Sequence, residues 1–235
     1  MNEHLSKQFD TELDDVRARL MRMGGLVEEQ VRATTLAFAE GDADLVEKVI
    51  ARDTEVDACE VDIDNICVHV VARRQPTAVD LRMIMSVSKT VTDLERIGDE
   101  AKKVAKATRK ILERGFSANT PQIMTVRTMG EECAAMLHDV LNAFVRMDAD
   151  LALQIVRRDK EIDQHFRAIT RELVTYMMED PRTISSALDI IFIVKSMERI
   201  GDHCKNIAKD VIYIVQGRDV RHLKLDELEQ EAKAR

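Results

Sequence analysis

Apolar side chains return every three or four residues through most of this chain, the spacing of a helix with one buried face. Between residues 77 and 113 the seam runs Ile84, Val87, Val91, Leu94, Gly98, Ala101 and Ala105, with charged positions around it. The same period predicts six helices, over 6–39, 42–73, 77–113, 121–146, 148–178 and 183–216. Thr77 with Asp80 three residues on, Thr120 before Pro121, and Thr183 after Pro181 mark helix starts, while Gly41, Gly115 and Gly217 suit helix ends. Residues 73–76 and 179–181 read as turns. Three prolines, eight glycines and no Trp leave too little punctuation for a sandwich or barrel, so the fold class is all-α. Gly24 and Gly25 lie inside the first predicted helix, where each costs about 1 kcal/mol relative to Ala. Close approach of a neighbouring helix is the expected reason.

The chain is also a duplication. Leu94-Glu95-Arg96-Ile97-Gly98-Asp99 returns 103 positions later as Met197-Glu198-Arg199-Ile200-Gly201-Asp202. Arg52-Asp53-Thr54-Glu55-Val56-Asp57 returns as Arg158-Asp159-Lys160-Glu161-Ile162-Asp163 at an offset of 106, which also relates Gly24 to Gly130. The offset changes between these segments, so the helices are kept and a connection varies. Short connections favour antiparallel neighbours, and each half reads as an up-down three-helix bundle. The expected organisation is 1–116 for the first bundle, 117–217 for the second, and a charged, loosely held tail over 218–235. In that tail Leu223, Leu225 and Leu228 are placed to dock or to form a short helix.

Composition changes this picture in two ways. A formal charge of -8 argues against nucleic acid or an anionic membrane as the main partner, since phosphate contacts need clustered Lys and Arg. The longest unbroken apolar run, Ile190-Ile191-Phe192-Ile193-Val194, is far short of the roughly 20 residues of a membrane span, and the first residues are polar. A cytoplasmic protein with no direct membrane insertion is expected. Cys59, Cys67, Cys133 and Cys204 show no Cys-x-x-Cys spacing and read as free thiols in a reducing compartment.

The chemical signal is the pairing of carboxylates four residues apart, which places them on one helix face. Asp53 with Asp57, Glu95 with Asp99, Asp159 with Asp163, and Glu198 with Asp202 are so arranged, two pairs in each half. Like charges at this spacing repel by a few tenths of a kcal/mol, so something must offset them. Two readings stay open. In one, the pairs are solvated and relieved by nearby groups, Asp99 by Lys103 and Asp202 by Asn206. In the other, four carboxylates per bundle converge on a hard or borderline cation such as Mg²⁺, Mn²⁺, Ca²⁺, iron or Zn²⁺. Glu95 lies about 40° around the helix axis from Val91, so its pair borders the buried seam instead of the opposite face. The first half adds Glu60 and Asp64 to the acidic stripe, where the second has Phe166 and Thr170. His203 and His165 are surface histidines or additional ligands. Lys102, Lys103, Lys106, Arg109, Lys110 and Arg114 form a cationic strip, either solvated or for docking. No phosphate-cradling loop, Ser-His-Asp arrangement or nucleophile elbow is visible, and the diagnostic Glu-x-x-His of di-iron bundles is missing.

The run Met197-Glu198-Arg199-Ile200-Gly201-Asp202-His203-Cys204-Lys205-Asn206-Ile207-Ala208, continued by Val211-Ile212-Tyr213-Ile214-Val215-Gln216-Gly217-Arg218-Asp219, resembles the signature of the PhoU family, and the resemblance extends over nearly the whole chain. It implies symmetry-related three-helix bundles whose Glu/Asp-x-x-x-Asp motifs bind metal, here Asp53, Asp57, Glu95, Asp99, Asp159, Asp163, Glu198 and Asp202. Glu100 and Lys103 of the first repeat depart from the His203 and Asn206 of the second. The implied role is non-enzymatic: a cytoplasmic regulator, peripheral to a phosphate-specific ABC transporter and in contact with its ATPase, which links it to a sensor histidine kinase and represses the starvation response. A homodimer is implied as well. The competing expectation is a metal-dependent helical-bundle oxidoreductase or a metal store.

Overall fold

A computed structural model describes residues 2–115, 122–220, 223 and 227. It contains six long helices and, among the described residues, no strand: α1 (Asn2–Glu40), α2 (Ala43–Arg74), α3 (Ala78–Glu113), α4 (Gln122–Arg146), α5 (Ala149–Glu179) and α6 (Ile184–Gln216). The helix starts follow the sequence reading to within a few residues, apart from the Thr120–Pro121 signal, which lies outside the described residues. Asp42 and Asp148, repeat images of one another, each cap a helix by accepting a 2.9 Å hydrogen bond from a backbone N–H, that of Leu45 and of Leu151. Gly41, Gly115 and Gly217 end helices at φ of 71, 93 and 72°, in the left-handed region. Two expected caps act differently. Thr77 donates its hydroxyl to Asp80 at 2.7 Å and caps no backbone N–H. Thr183 closes a single 3₁₀ turn, Pro181–Thr183, which Asp180 caps instead.

Helices α1, α2 and α3 pack on one another, as do α4, α5 and α6, and the two bundles meet through equivalent helices, α1 against α4 and α3 against α6. Among the described residues the α3–α6 pairing is the most extensive contact between helices. One apolar core, from Leu13 to Val220, runs through both halves, so the junction is core and not a linker. Every member of the α3 seam read from the sequence is buried.

Gly24 and Gly130 explain how α1 and α4 come together. A methyl group at Gly24 would lie 2.6 Å from Leu141 Cδ2, and one at Gly130 would strike Thr35, the repeat image of Leu141. Close approach therefore accounts for Gly24 and its image. It does not account for Gly25, beside which nothing lies within 4 Å. Beyond α6, Val220 is buried and Leu223 packs against the core, the docking expected of it, while Leu225 and Leu228 lie outside the described residues. Cys59, Cys67, Cys133 and Cys204 are free thiols, the last three buried. Burial pushes the Cys67 thiol up to about 11, so it is inert at neutral pH.

Candidate functional site

The repeated pentapeptide Glu-Arg-Ile-Gly-Asp divides its side chains among three neighbours. Ile97 and Ile200 fill the core. Glu95 shares its electrostatic surroundings with Asp57 and Glu60 of α2, while Arg96, Asp99, Arg199 and Asp202 line the α3–α6 junction. This division follows from 100° per residue and explains why a charged motif interrupts an apolar seam.

In the first half, α2 and α3 bring the predicted carboxylates into one electrostatic neighbourhood. Asp53 is buried and ion-paired with Lys102. Glu95 is pushed above the ordinary carboxylate range by burial and by the charges of Asp99, Glu60 and Asp57. Asp57 rises through burial, Asp53 and Asp99 against the pull of Lys102, and Glu60 through burial, Asp64 and Asp57. Asp64 accepts a 2.8 Å hydrogen bond from Ser88. The stripe Asp57, Glu60, Glu95 and Asp99 thus holds more negative charge than its neighbours neutralise.

The second half is compensated. Lys205, the repeat image of Lys102, places its Nζ 2.6 Å from Asp159 and 2.6 Å from Asp202, bridging α5 and α6. Burial alone would lower the Lys205 pKa, but its two carboxylate partners raise it above the usual lysine value. Lys195 lies 2.6 Å from Glu198 and 5.2 Å from the centroid of the Phe166 ring. Its repeat image in the first half is Thr92, as Glu60 is the image of Phe166. Arg167 stands 3.9 Å from Asp163. The bases named as relief in the sequence are not the ones used: Asp202 is paired by Lys205, and Lys103 serves Glu100 at 2.9 Å.

Whether a cation suits these residues therefore differs between halves. The unneutralised carboxylates of the first half have the donor chemistry for a hard cation. In the second half the Lys205 ammonium stands between Asp159 and Asp202, so a cation there would have to displace it. Among the described residues no three His, Cys, Asp or Glu side chains converge closely enough to hold a metal ion. The eight motif carboxylates are brought together by halves, but as ion-paired or repelling neighbours.

A second arrangement lies at the α3–α6 junction, and most of it escaped the sequence reading. Asp93 and His203 meet at 2.7 Å, and Asn206 reaches Asp93 at 3.5 Å. Glu100 receives Lys103 at 2.9 Å and Arg199 at 3.3 Å. Burial pushes the Glu100 carboxyl up, yet hydrogen bonds from Lys103, Ser196 and Arg199 bring it below the ordinary range. Four repeat pairs, Arg96/Arg199, Asp99/Asp202, Glu100/His203 and Lys103/Asn206, line a cavity of about 460 Å³ there. The cavity thus straddles the axis of the duplication. The signal for it was the 103-residue offset itself, which makes Ser196 the image of Asp93. His203 is half-buried against Asp93 of α3 and lines the same cavity as Asp202, and His165 pairs with Glu132 at 2.8 Å.

The cationic strip divides as well. Lys102 turns toward α2 to serve Asp53, and Arg109 meets Glu47 at 3.2 Å. Lys103, Lys106 and Lys110 face the groove between α3 and α6. Among the described residues no helix is long and apolar enough to cross a membrane.

A tandem all-α fold with carboxylate-bearing repeats defines a class of two-bundle proteins, and comparison with known proteins gives the family. The sequence model of the PhoU domain matches residues 20–108 and again 126–211. The chain belongs to the PhoU family. It is 48% identical over 98% of its length, and 95% of the relative's, to the phosphate-specific transport system accessory protein PhoU homolog of Pseudomonas aeruginosa. It is 46% identical over 98% of its length, and 94% of the relative's, to the accessory protein PhoU of Escherichia coli. The crystal structure of PhoU from Pseudomonas aeruginosa matches with a TM-score of 0.86 at 49% identity, covering 89% of this chain and all (100%) of that one. The phosphate transport system regulatory protein PhoU from Streptococcus pneumoniae matches with a TM-score of 0.83 at 29% identity, covering 90% and 99%. These relatives are named as accessory and regulatory proteins, not enzymes, which removes the oxidoreductase reading.

Proposed function

We propose that this chain is a non-enzymatic cytoplasmic regulator of phosphate homeostasis, peripheral to a phosphate-specific ABC transporter, which it couples to a sensor histidine kinase. In this reading it represses the phosphate-starvation response when phosphate is plentiful. The observation that carries it is identity of nearly half, over almost the full length of both chains, to accessory proteins of phosphate-specific transport. An adaptor of this kind works by binding one state of its partner more tightly than another. Two bundles fused through a common core give it a rigid body whose faces keep a fixed relation.

Two finer assignments belong to the same reading. A divalent cation such as Mg²⁺ or Mn²⁺ would bind in the first half by drawing Asp57, Glu60, Glu95 and Asp99 closer together than they stand, its charge offsetting their repulsion. The assembly is a homodimer, to be read from sedimentation equilibrium of the purified chain. The test of the regulatory role is a deletion strain carrying a starvation-promoter reporter. Constitutive expression, silenced by returning the gene, is expected. Normal repression in the deletion strain would end this reading.

A further inference from the structure

The groove between α3 and α6 has two ends related by the repeat, and they differ. At one end the Lys89 ammonium lies over the Tyr213 ring, 5.6 Å from its centroid. At the other end the duplication places Phe192 where Lys89 stands and Lys110 where Tyr213 stands. There the aromatic ring is left open, with Phe192 64% exposed. Ile184 and Leu188, 41% and 44% exposed, precede it at four-residue intervals, so three large apolar side chains form a ridge along one face of α6. Across from the ridge, α3 lines a cavity of about 430 Å³ with Lys103, Lys106 and Lys110. Glu100 takes Lys103, whereas Lys106 and Lys110 have no carboxylate partner among the described residues.

From these observations we infer that this end of the groove is the docking site for a partner protein, which enters as an acidic amphipathic segment. Its apolar side chains rest on Ile184, Leu188 and Phe192, and its carboxylates face Lys106 and Lys110. Three features favour that occupant. The ridge has the i, i+4, i+8 spacing that matches an apolar helix face laid along a groove. The lysines stand beside it on a different helix, so apolar and cationic contacts are offered side by side. A flat anionic bilayer would meet the whole molecule, whose net charge of -8 opposes it. Exposed lysines steer encounter while the ridge holds the complex once formed. This inference rests on the adaptor reading above and adds the surface and the chemistry of what it binds.

The test uses the full-length chain with two partners, the cytoplasmic part of the sensor kinase and the transporter ATPase, and with phosphatidylglycerol vesicles. Leu188→Ser with Phe192→Ser removes the ridge, and Lys106→Glu with Lys110→Glu reverses the charge. Leu81→Ser with Met85→Ser alters the repeat-related face as a control. Each docking variant should bind at least one protein partner about tenfold more weakly, and the charge variant should lose most of its salt dependence. The control should bind like the parent, with equal helicity by circular dichroism throughout. Parent-like binding by both docking variants would overturn the surface while leaving the adaptor reading in place. Loss confined to vesicle binding would overturn it in favour of a membrane contact. Failure of the parent to bind either protein would overturn the adaptor reading, and this inference with it.

Discussion

His203 Nδ1 stands 2.7 Å from Asp93 Oδ1, joining α6 to α3 across the two halves, with their side chains 17% and 11% exposed. The carboxylate can only accept, so the imidazole Nδ1 carries the hydrogen. The repeat turns this pair into Glu100 with Ser196, the partner that helps hold Glu100 in its charged form. Two polar contacts related by the duplication therefore pin the same helix pair, each with different chemistry.

If the Asp93–His203 contact fixes the register of α3 against α6, its members should be energetically coupled. Asp93→Asn, His203→Ala and their combination, measured by urea denaturation, should give a coupling energy of about 1–2 kcal/mol. Additive losses would mean that the two side chains are merely adjacent. Arg17 with Asp14, an exposed pair at 3.6 Å on α1, is the comparison and should couple by less than about 0.5 kcal/mol.

The glycine pair of α1 separates packing from propensity. Gly25→Ala meets open space and should stabilise the chain by about 0.5–1 kcal/mol, because alanine has less backbone freedom to lose than glycine when the helix forms. Gly130→Ala drives a methyl group into the branched Thr35 side chain and should cost about 1–3 kcal/mol. Gly24→Ala should fall between, since Leu141 Cδ2 is the end of a flexible side chain. Thermal melts of the three variants check the order, and a stable Gly130→Ala protein would show that α1 and α4 can separate without loss.

Much of this architecture was legible from period and repetition. The buried seam of α3 follows a rule that depends only on helix geometry, and each positive-φ glycine at a helix end is a local requirement of the backbone. The junction was not legible in that way. Asp93, Glu100, Arg199 and His203 are polar, so they carry no apolar period, and their partners lie on a helix about a hundred residues distant. The carboxylate pairs were found by spacing, but spacing could not say what faces them. Lys205 is three residues from Asp202 and far from Asp159 in sequence, and only the packing of α5 on α6 puts one ammonium between both.

That ammonium should be the main support of the second acidic site. Lys205→Met keeps the aliphatic volume and leaves the buried Asp159 facing Asp202 without a counter-charge. The expected loss is about 2 kcal/mol, below the range for a fully buried pair because Lys205 retains some exposure to water. Asp159→Asn in the Lys205→Met background should recover most of it. Chemical denaturation of the single and double variants measures both steps, and a neutral Lys205→Met would show that water alone satisfies the two carboxylates.

The first acidic site should respond to pH in the opposite sense from an ordinary salt bridge. Asp57, Glu60 and Glu95 bind protons more tightly in the folded chain than in the unfolded one, first through burial and then through neighbouring carboxylates. Their contribution therefore disfavours the fold above their raised values and is relieved as pH falls through them toward the ordinary carboxylate range. Glu100 runs the other way, its lowered value giving stability that persists until the pH falls through it. With chelator present, Glu60→Gln combined with Glu95→Gln should raise stability near neutral pH by about 0.5 kcal/mol, since it removes repulsion between neighbouring charges. That corresponds to a shift of about 1–2 °C in Tm for a chain of this length. The gain should shrink as the pH is lowered toward the ordinary carboxylate range, because the raised carboxyls of the parent take up protons first. Adding Mn²⁺ provides the decisive contrast: a cation held by this stripe raises the Tm of the parent by mass action and leaves the double variant unmoved. An equal rise in both proteins would place the cation elsewhere, and a higher Tm for the parent than for the variant in chelator would show that the stripe is already compensated.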